Sequence, residues 1–258
     1  MLRSTFIHIQ GIGEQTEINL WKKGVKTWDD ALSKSFHQPS GRYKRIKAGI
    51  LESKGRLAAG DHEYFRDTLP SGSAWRAYDD FRENACYLDI ETTGLSSVYD
   101  DVTTVCLHSA DATKTYIQGE NLGDLRKDLG GYKYIVSFNG ARFDLPFLSH
   151  KLNIGFNHIH LDLMYPLKRL GFSGGLKNIE KALGISRDSD GVTGYDAVRL
   201  WRSYRSGRTI EVAGRKVAGE KALELLVDYN REDTVNLERL ADWAVGELSG
   251  QYDRYLKE

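Results

Sequence analysis

Asp89 and Glu91 stand two residues apart in the run Tyr87-Leu88-Asp89-Ile90-Glu91-Thr92-Thr93-Gly94-Leu95. Ala85, Tyr87 and Leu88 give the run the character of a buried central strand. In a strand, positions i and i+2 share a face. Two carboxylates on one face of an apolar strand repel each other and lose hydration, and a divalent cation would remove both penalties. Thr92, Thr93 and Gly94 break the strand, which puts the acids near its end. The same residues also fit an exposed acidic edge strand.

Three further acidic stretches follow in order. They are Phe138-Asn139-Gly140-Ala141-Arg142-Phe143-Asp144-Leu145-Pro146-Phe147-Leu148, then Leu161-Asp162-Leu163, then Tyr229-Asn230-Arg231-Glu232-Asp233. The ordered set resembles the DEDD superfamily of 3′–5′ exonucleases with a ribonuclease H-like fold. A tyrosine four places before the last aspartate is similar to the tyrosine subclass. The stretches around Asp144 and Asp162 resemble the YprB-like branch and the proofreading domains of family-B DNA polymerases. The likeness covers roughly residues 84 to 248, and its specificity lies in the set of motifs rather than in any one of them.

The element order read from the residues agrees with that fold. Strand-like runs at 85–91, 103–109 and 114–118 have short links, as in an antiparallel meander. A helix over 121–130, a strand over 134–138, a helix over 145–152 and a short strand over 158–161 follow. Most of the remainder is helical, apart from a hairpin turning near Ala213-Gly214. The fold class is therefore α/β: a ribonuclease H-like mixed sheet flanked by helices, preceded by a small helical N-terminal region. The boundary is placed near residue 83; the resemblance implies an exonuclease domain over 84–258, and the helix-hairpin-helix-like turn described next implies a nucleic-acid-binding region over 1–83.

In the first region, apolar Phe6, Ile7 and Ile9 lead to a turn at Gly11-Ile12-Gly13. A helix over Ile18, Leu20 and Trp21 follows, with Gly24 as its C-terminal cap. Thr27 and Asp30 have capping-box spacing before Trp28, Ala31 and Leu32. The Gly-x-Gly turn resembles the helix-hairpin-helix motif, in which backbone N–H groups hold a nucleic-acid phosphate without reading bases; Gly11 and Gly13 match the glycine positions. Very few residues precede the turn to form a first helix, and a tight turn between packed helices is the competing reading. Arg42–Arg56 carries six cations opposite Ile46, Ile50 and Leu51, which fits a phosphate-tracking face or a solvated helix surface. Ser71 or Ser73 is expected to cap a helix over Trp75, Tyr78 and Phe81.

Other candidates lie in the second region. Asp144 sits at a helix start just before Pro146, where the helix dipole favours an acid in any case. Asn139, in a turn-prone Asn-Gly, is a candidate to hydrogen-bond site or substrate, or to serve the turn alone. Asp162 ends a short strand after His158 and His160 and is taken as an auxiliary acid or a helix cap; a histidine metal cluster is disfavoured beside oxygen-ligand chemistry. Lys177 follows the glycine turn Ser173-Gly174-Gly175 and is a candidate phosphate contact. Arg199, Arg202, Arg205 and Arg208 form a slanting helical stripe, of which Arg202 and Arg205 are taken as nucleic-acid-binding. Tyr229 and Asp233 are i and i+4, on one helical face.

The resemblance implies that Asp89, Glu91, Asp144 and Asp233 hold two ions, Mg²⁺ or Mn²⁺, and that Tyr229 orients the attacking water. It implies 3′–5′ hydrolysis of DNA, single-stranded ends foremost. The alternatives are an RNA 3′-end trimmer and a non-catalytic nucleic-acid-binding module. The residues themselves reach only metal-dependent phosphoryl transfer.

The chain has 258 residues, formal net charge zero, 40% hydrophobic and 11% aromatic content. That suffices for a core and excludes a surface that is uniformly a phosphate magnet. Cys86 and Cys106 read as small buried apolar residues. No signal-peptide pattern or long apolar run is seen, so a cytoplasmic protein that does not engage membranes is expected.

Overall fold

The computed structural model describes residues 1–33, 41–189 and 191–257. Turn and capping chemistry lays out the first third of the chain. A 3₁₀ turn, Leu2–Ser4, precedes the Gly11-Ile12-Gly13 turn, with Gly11 at φ +81°. Glu14–Lys22 (α1) follows. Thr27 and Asp30 form the reciprocal capping box that their spacing predicts and start Trp28–Leu32 (α2). The basic run becomes Gly41–Ala58 (α3), burying Tyr43, Ile46 and Ile50 while its cations face out. Asp61 caps His62–Thr68 (α4) by accepting the Tyr64 N–H. The helix expected after Pro70 is mostly 3₁₀, Ser71–Ala77, with one α turn at Tyr78–Phe81 (α5). No serine caps it, because Pro70 holds the N-cap position. Ser-Gly-Ser favours such tight turns over α-helix.

Residue 83 is where helices give way to sheet, yet the apolar core runs straight through it. Phe6, Trp21, Phe65, Trp75 and Phe81 belong to the same buried cluster as Tyr87, Tyr134, Leu161, Leu240 and Tyr252. A buried ion pair fastens this junction: Arg76 Nη1 meets Glu17 Oε2 at 2.7 Å, and Glu17 Oε1 accepts the Phe6 N–H at 2.6 Å. The Arg76 guanidinium lies over the Tyr252 ring, 5.1 Å from its centroid.

Ala85–Thr92 (β1), Val102–His108 (β2) and Thr113–Ile117 (β3) form the expected antiparallel meander. Leu125–Leu129 (α6) then crosses to Tyr134–Ser137 (β4), parallel to β1. Asp144–Leu152 (α7) leads to Ile159–Asp162 (β5), parallel to β4. The sheet order is β3-β2-β1-β4-β5. Strand alternation splits the core. Cys86, Leu88, Ile90 and Ile135 pack with Leu125, Phe147 and Leu148 of α6 and α7. Tyr87, Tyr134 and Val136 face the opposite layer. Both cysteines are free and buried.

That opposite layer comes from the rest of the chain. Met164–Arg169 (α8) and Leu176–Ala182 (α9) precede Gly194–Ser206 (α10), which Thr193 and Asp196 cap with a second capping box. Ile210–Val212 (β6) and Arg215–Val217 (β7) make the expected hairpin, with Ala213 and Gly214 at positive φ, the backbone of a primed two-residue turn. Gly219–Gly250 (α11), 32 residues long, lies across β1 and β2, and Asp253–Leu256 (α12) follows. Leu237, Leu240, Ala241 and Ala244 of α11 fill the core under the sheet. Among the described residues no helix is long and apolar enough to cross a membrane.

Candidate metal-binding active site

Strand alternation sends Asp89 and Glu91 to the α11 side of β1, with Leu88 and Ile90 to the other. The ladder to β2 is irregular between Glu91 and Thr92, so the strand ends just past the acids. One helical turn above the apolar part of α11, Asp233 faces them. Carboxylate oxygens of Asp89, Glu91 and Asp233 lie within 4.8 Å of one another, and among the described residues this is the one group with metal-ligand spacing.

These carboxyls are out of balance. Burial pushes Asp89 well above the usual carboxylate range, and the charges of Asp144, Asp233 and Glu91 push it further. Burial does the same to Glu91, with Asp233 and Asp144 adding to it. Asp233 is raised by burial too, although the Arg187 guanidinium pulls it partly back. Hard oxygen donors in mutual repulsion are the donor set that suits Mg²⁺ or Mn²⁺, so the residues fit a divalent cation held by Asp89, Glu91 and Asp233.

Asp144 comes from the opposite layer. The register of β4 with β1 ends at Tyr87↔Val136, which leaves the β1 backbone beyond it without a strand partner on that side. Asp144 Oδ1 accepts the Ile90 N–H there, at 3.2 Å. Its carboxyl is pushed up to about 7, by burial above all. Asp144 thus stands beside the triad with one oxygen already engaged.

Tyr229 is buried on the same face of α11, one turn before Asp233. Its ring lies 4.2 Å from Lys177 Nζ and 5.7 Å from the Arg187 guanidinium. Among the described residues its hydroxyl has no hydrogen-bond partner. Burial, then the nearby carboxylates, hold the phenol protonated. Lys177, half-buried, donates to the Val192 carbonyl. Burial lowers its pKa, against the pull of Asp233 and Glu91.

Asp162 does not join the triad. It accepts the N–H groups of Asn139 at 2.7 Å, Ala141 at 3.1 Å and Met164 at 3.1 Å, and so shapes the loop that delivers Asp144. Asn139 serves that loop through its backbone, at φ +61°. Gly140 is required beside it, since a Cβ there would come within 2.1 Å of Ser137 Oγ. His160 pairs with Ser137 Oγ at 2.8 Å and His158 with the Leu129 carbonyl at 3.0 Å. Burial pushes His160 down to about 4 and lowers His158 as well, which favours the neutral form of both histidines. Arg202 and Arg205 are exposed on α10. Gly11 and Gly13 are exposed in the N-terminal region, where a Cβ on Gly11 would come within 2.9 Å of Arg45 Nη1.

Two residues of the site were not anticipated. Asn230 donates to Asp89 Oδ2 at 2.7 Å, and among the described residues its own Oδ1 is buried without a partner. Its place one residue after Tyr229 was the available signal. Arg187, in the segment between α9 and α10, pairs with Asp233 and with Glu180. Nothing in its local sequence marks it.

The RNase_H_2 family model, described as the RNase_H superfamily, matches residues 86–245. No curated protein matches the sequence. Among solved structures, the family B DNA polymerase from the hyperthermophilic archaeon Pyrobaculum calidifontis is similar over 60% of this chain, at 15% identity and a TM-score of 0.44. This chain spans 24% of that polymerase. Brucella melitensis NrnC with bound Mg²⁺ is similar over 70% of this chain and 82% of its own, at 21% identity and a TM-score of 0.42. The structure of NrnC bound to pGG covers 70% and 79%, at 22% identity and a TM-score of 0.42.

Proposed function

We propose, from the premise that this chain belongs to the RNase_H superfamily, that it is a metal-dependent 3′–5′ exonuclease of the tyrosine DEDD subclass. Its substrate is DNA, single-stranded ends foremost. One observation carries the reading: Asp89, Glu91 and Asp233 converge within ligand distance, with Asp144 beside them and the partner-free Tyr229 hydroxyl on the same face of α11.

Divalent ions, two of them in this reading, supply charge neutralisation and Lewis acidity when bound. The chain's own residues do the rest. Asp89, Glu91 and Asp233 hold the cation position, and Asn230 Nδ2 fixes the Asp89 carboxylate. Asp144 keeps one oxygen on the Ile90 N–H and directs its charge to the cluster. The Tyr229 hydroxyl donates to or accepts from the attacking water and sets its line of approach. Lys177, beside the Tyr229 ring, supports the negative charge of a substrate phosphate. Arg202 and Arg205 on α10 meet the phosphates of the strand further away. In the N-terminal region, the Gly11-Ile12-Gly13 turn holds a backbone phosphate without reading bases, as a helix-hairpin-helix-like element.

End-labelled single strands of DNA and RNA, incubated with Mg²⁺ or Mn²⁺, test the activity. Stepwise shortening from the 3′ end, stronger on DNA and absent in chelator and in Asp89→Asn, is expected. Preferential shortening of RNA would move the substrate to RNA. Cleavage by folded Asp89→Asn would remove the metal-site assignment. For the turn, Gly11→Val should flatten the salt dependence of DNA affinity; a folded variant with the wild-type salt slope would refute that role.

A further inference from the structure

Arg187 contacts one member of the acidic triad, Asp233. Its side chain is 7% exposed, and it is divided between two acids: Nη1 meets Glu180 Oε2 at 2.5 Å, and Nη2 meets Asp233 Oδ1. Glu180 is fully buried and is also held by Asn236 Nδ2 at 2.9 Å, so that end of the guanidinium is anchored. The Asp233 end rests on a member of the acidic triad. Among the described residues the remaining nitrogen, Nε, is buried without a hydrogen bond, 3.7 Å from Glu232 Oε2. Glu232 is itself fastened to the segment before α10: Oε2 accepts the Ser189 N–H at 3.1 Å and the Ser189 hydroxyl, and Oε1 accepts the Asp188 N–H.

Monodentate contacts and an unsatisfied Nε leave this arginine short of the paired, planar contacts that its fork can make. The Glu232 carboxylate, partly engaged by Asp188 and Ser189, stands next to it and is the nearest further acid. We propose that Arg187 is the resident counter-ion of Asp233. A divalent cation must displace it, and on displacement it pivots about Glu180 onto Glu232. It is a positioning residue whose hold on Asp233 sets the metal affinity of the site. This inference rests on the metal-site reading above.

Linkage fixes the sign. A contact present only in the metal-free protein weakens cation binding by the factor that the contact contributes. Removing it must therefore tighten binding, whereas a purely supporting arginine would weaken binding when lost. Glu180 gives the opposite handle. With Glu180→Gln the guanidinium loses its anchor and commits fully to Asp233, while the glutamine carbonyl can still accept from Asn236.

The test is Mn²⁺ binding to the full chain by titration calorimetry at pH 8, with unfolding midpoints measured beside it. Arg187→Gln should bind Mn²⁺ about fivefold or more tighter than wild type, and Glu180→Gln at least several-fold weaker, on the scale of ordinary coupling between sites. Equal or weaker binding by folded Arg187→Gln overturns the proposal. If that variant does not fold, unchanged or tighter binding by Glu180→Gln overturns it instead. Wild type that binds Mn²⁺ without these shifts refutes Arg187 alone; wild type that binds none refutes the metal site and this inference together.

Discussion

Asn230 donates Nδ2 to Asp89 Oδ2 at 2.7 Å, joining α11 to β1 across 141 residues of sequence. The bond engages one oxygen of a carboxylate that stands at metal-ligand spacing from Glu91 and Asp233. A group that orients a ligand carboxylate is typically worth roughly 10–100-fold in metal affinity or activity. Asn230→Ala should therefore lower Mn²⁺ affinity or turnover by that factor. Calorimetry and single-turnover cleavage both unchanged would show that Asp89 needs no such support.

Tyr229→Phe keeps the ring beside Lys177 and Arg187 and removes only a hydroxyl that has no hydrogen-bond partner among the described residues. Positioning of a reacting water is worth roughly 10²–10⁴ in rate. The variant should lose turnover on that scale and keep its Mn²⁺ isotherm. Equal single-turnover rates at saturating metal would assign Tyr229 to packing.

Asp144 makes stability depend on pH. Its carboxyl titrates at about 7 in the folded chain against an ordinary 3.8. Between those values the folded chain holds a proton that the unfolded chain has released, so stability rises as pH falls. The contribution is complete below about 4 and is lost as pH climbs through about 7. In chelator, the gain in unfolding midpoint from pH 8 to pH 5.5 should be larger for wild type than for Asp144→Asn. Identical gains would mean that Asp144 is ionised throughout.

Arg76 and Glu17 are both buried, at 1% and 0% exposure. Breaking a buried pair from one side typically costs about 3–5 kcal/mol. Arg76→Met should lose about that much in urea unfolding, whereas joint replacement of Glu17 and Arg76 by apolar residues should recover part of it. A loss within about 0.5 kcal/mol, the level of an ordinary surface change, would mean that the pair does not hold the junction.

The elements were legible where local chemistry decides them. Alternation around Asp89, the Thr27–Asp30 box, the Ala213-Gly214 turn and the Tyr229–Asp233 spacing each act within a few residues, and each appears in the structure. The 3₁₀ segment at Ser71 was not, because Trp75, Tyr78 and Phe81 bury equally well from a tighter helix. Periodicity tells which face a residue occupies, not what lies opposite. Arg187 meets Asp233 across 46 residues and Asn230 meets Asp89 across 141, so neither contact left a trace in its own neighbourhood. The same limit hid the continuity of the core across residue 83, which depends on partners as distant as Trp21 and Tyr252.

Trp21 packs edge-on against Tyr252, with ring centroids 5.4 Å apart, and Trp75 stacks on the same tyrosine. During synthesis the first helices leave the ribosome long before that tyrosine exists. At about 5–20 residues per second the gap is roughly 10–50 s. For that interval the tryptophans of the early helices have no completed core to enter. The aromatic contacts that Trp21 and Trp75 make with this tyrosine can form only once Tyr252 has emerged.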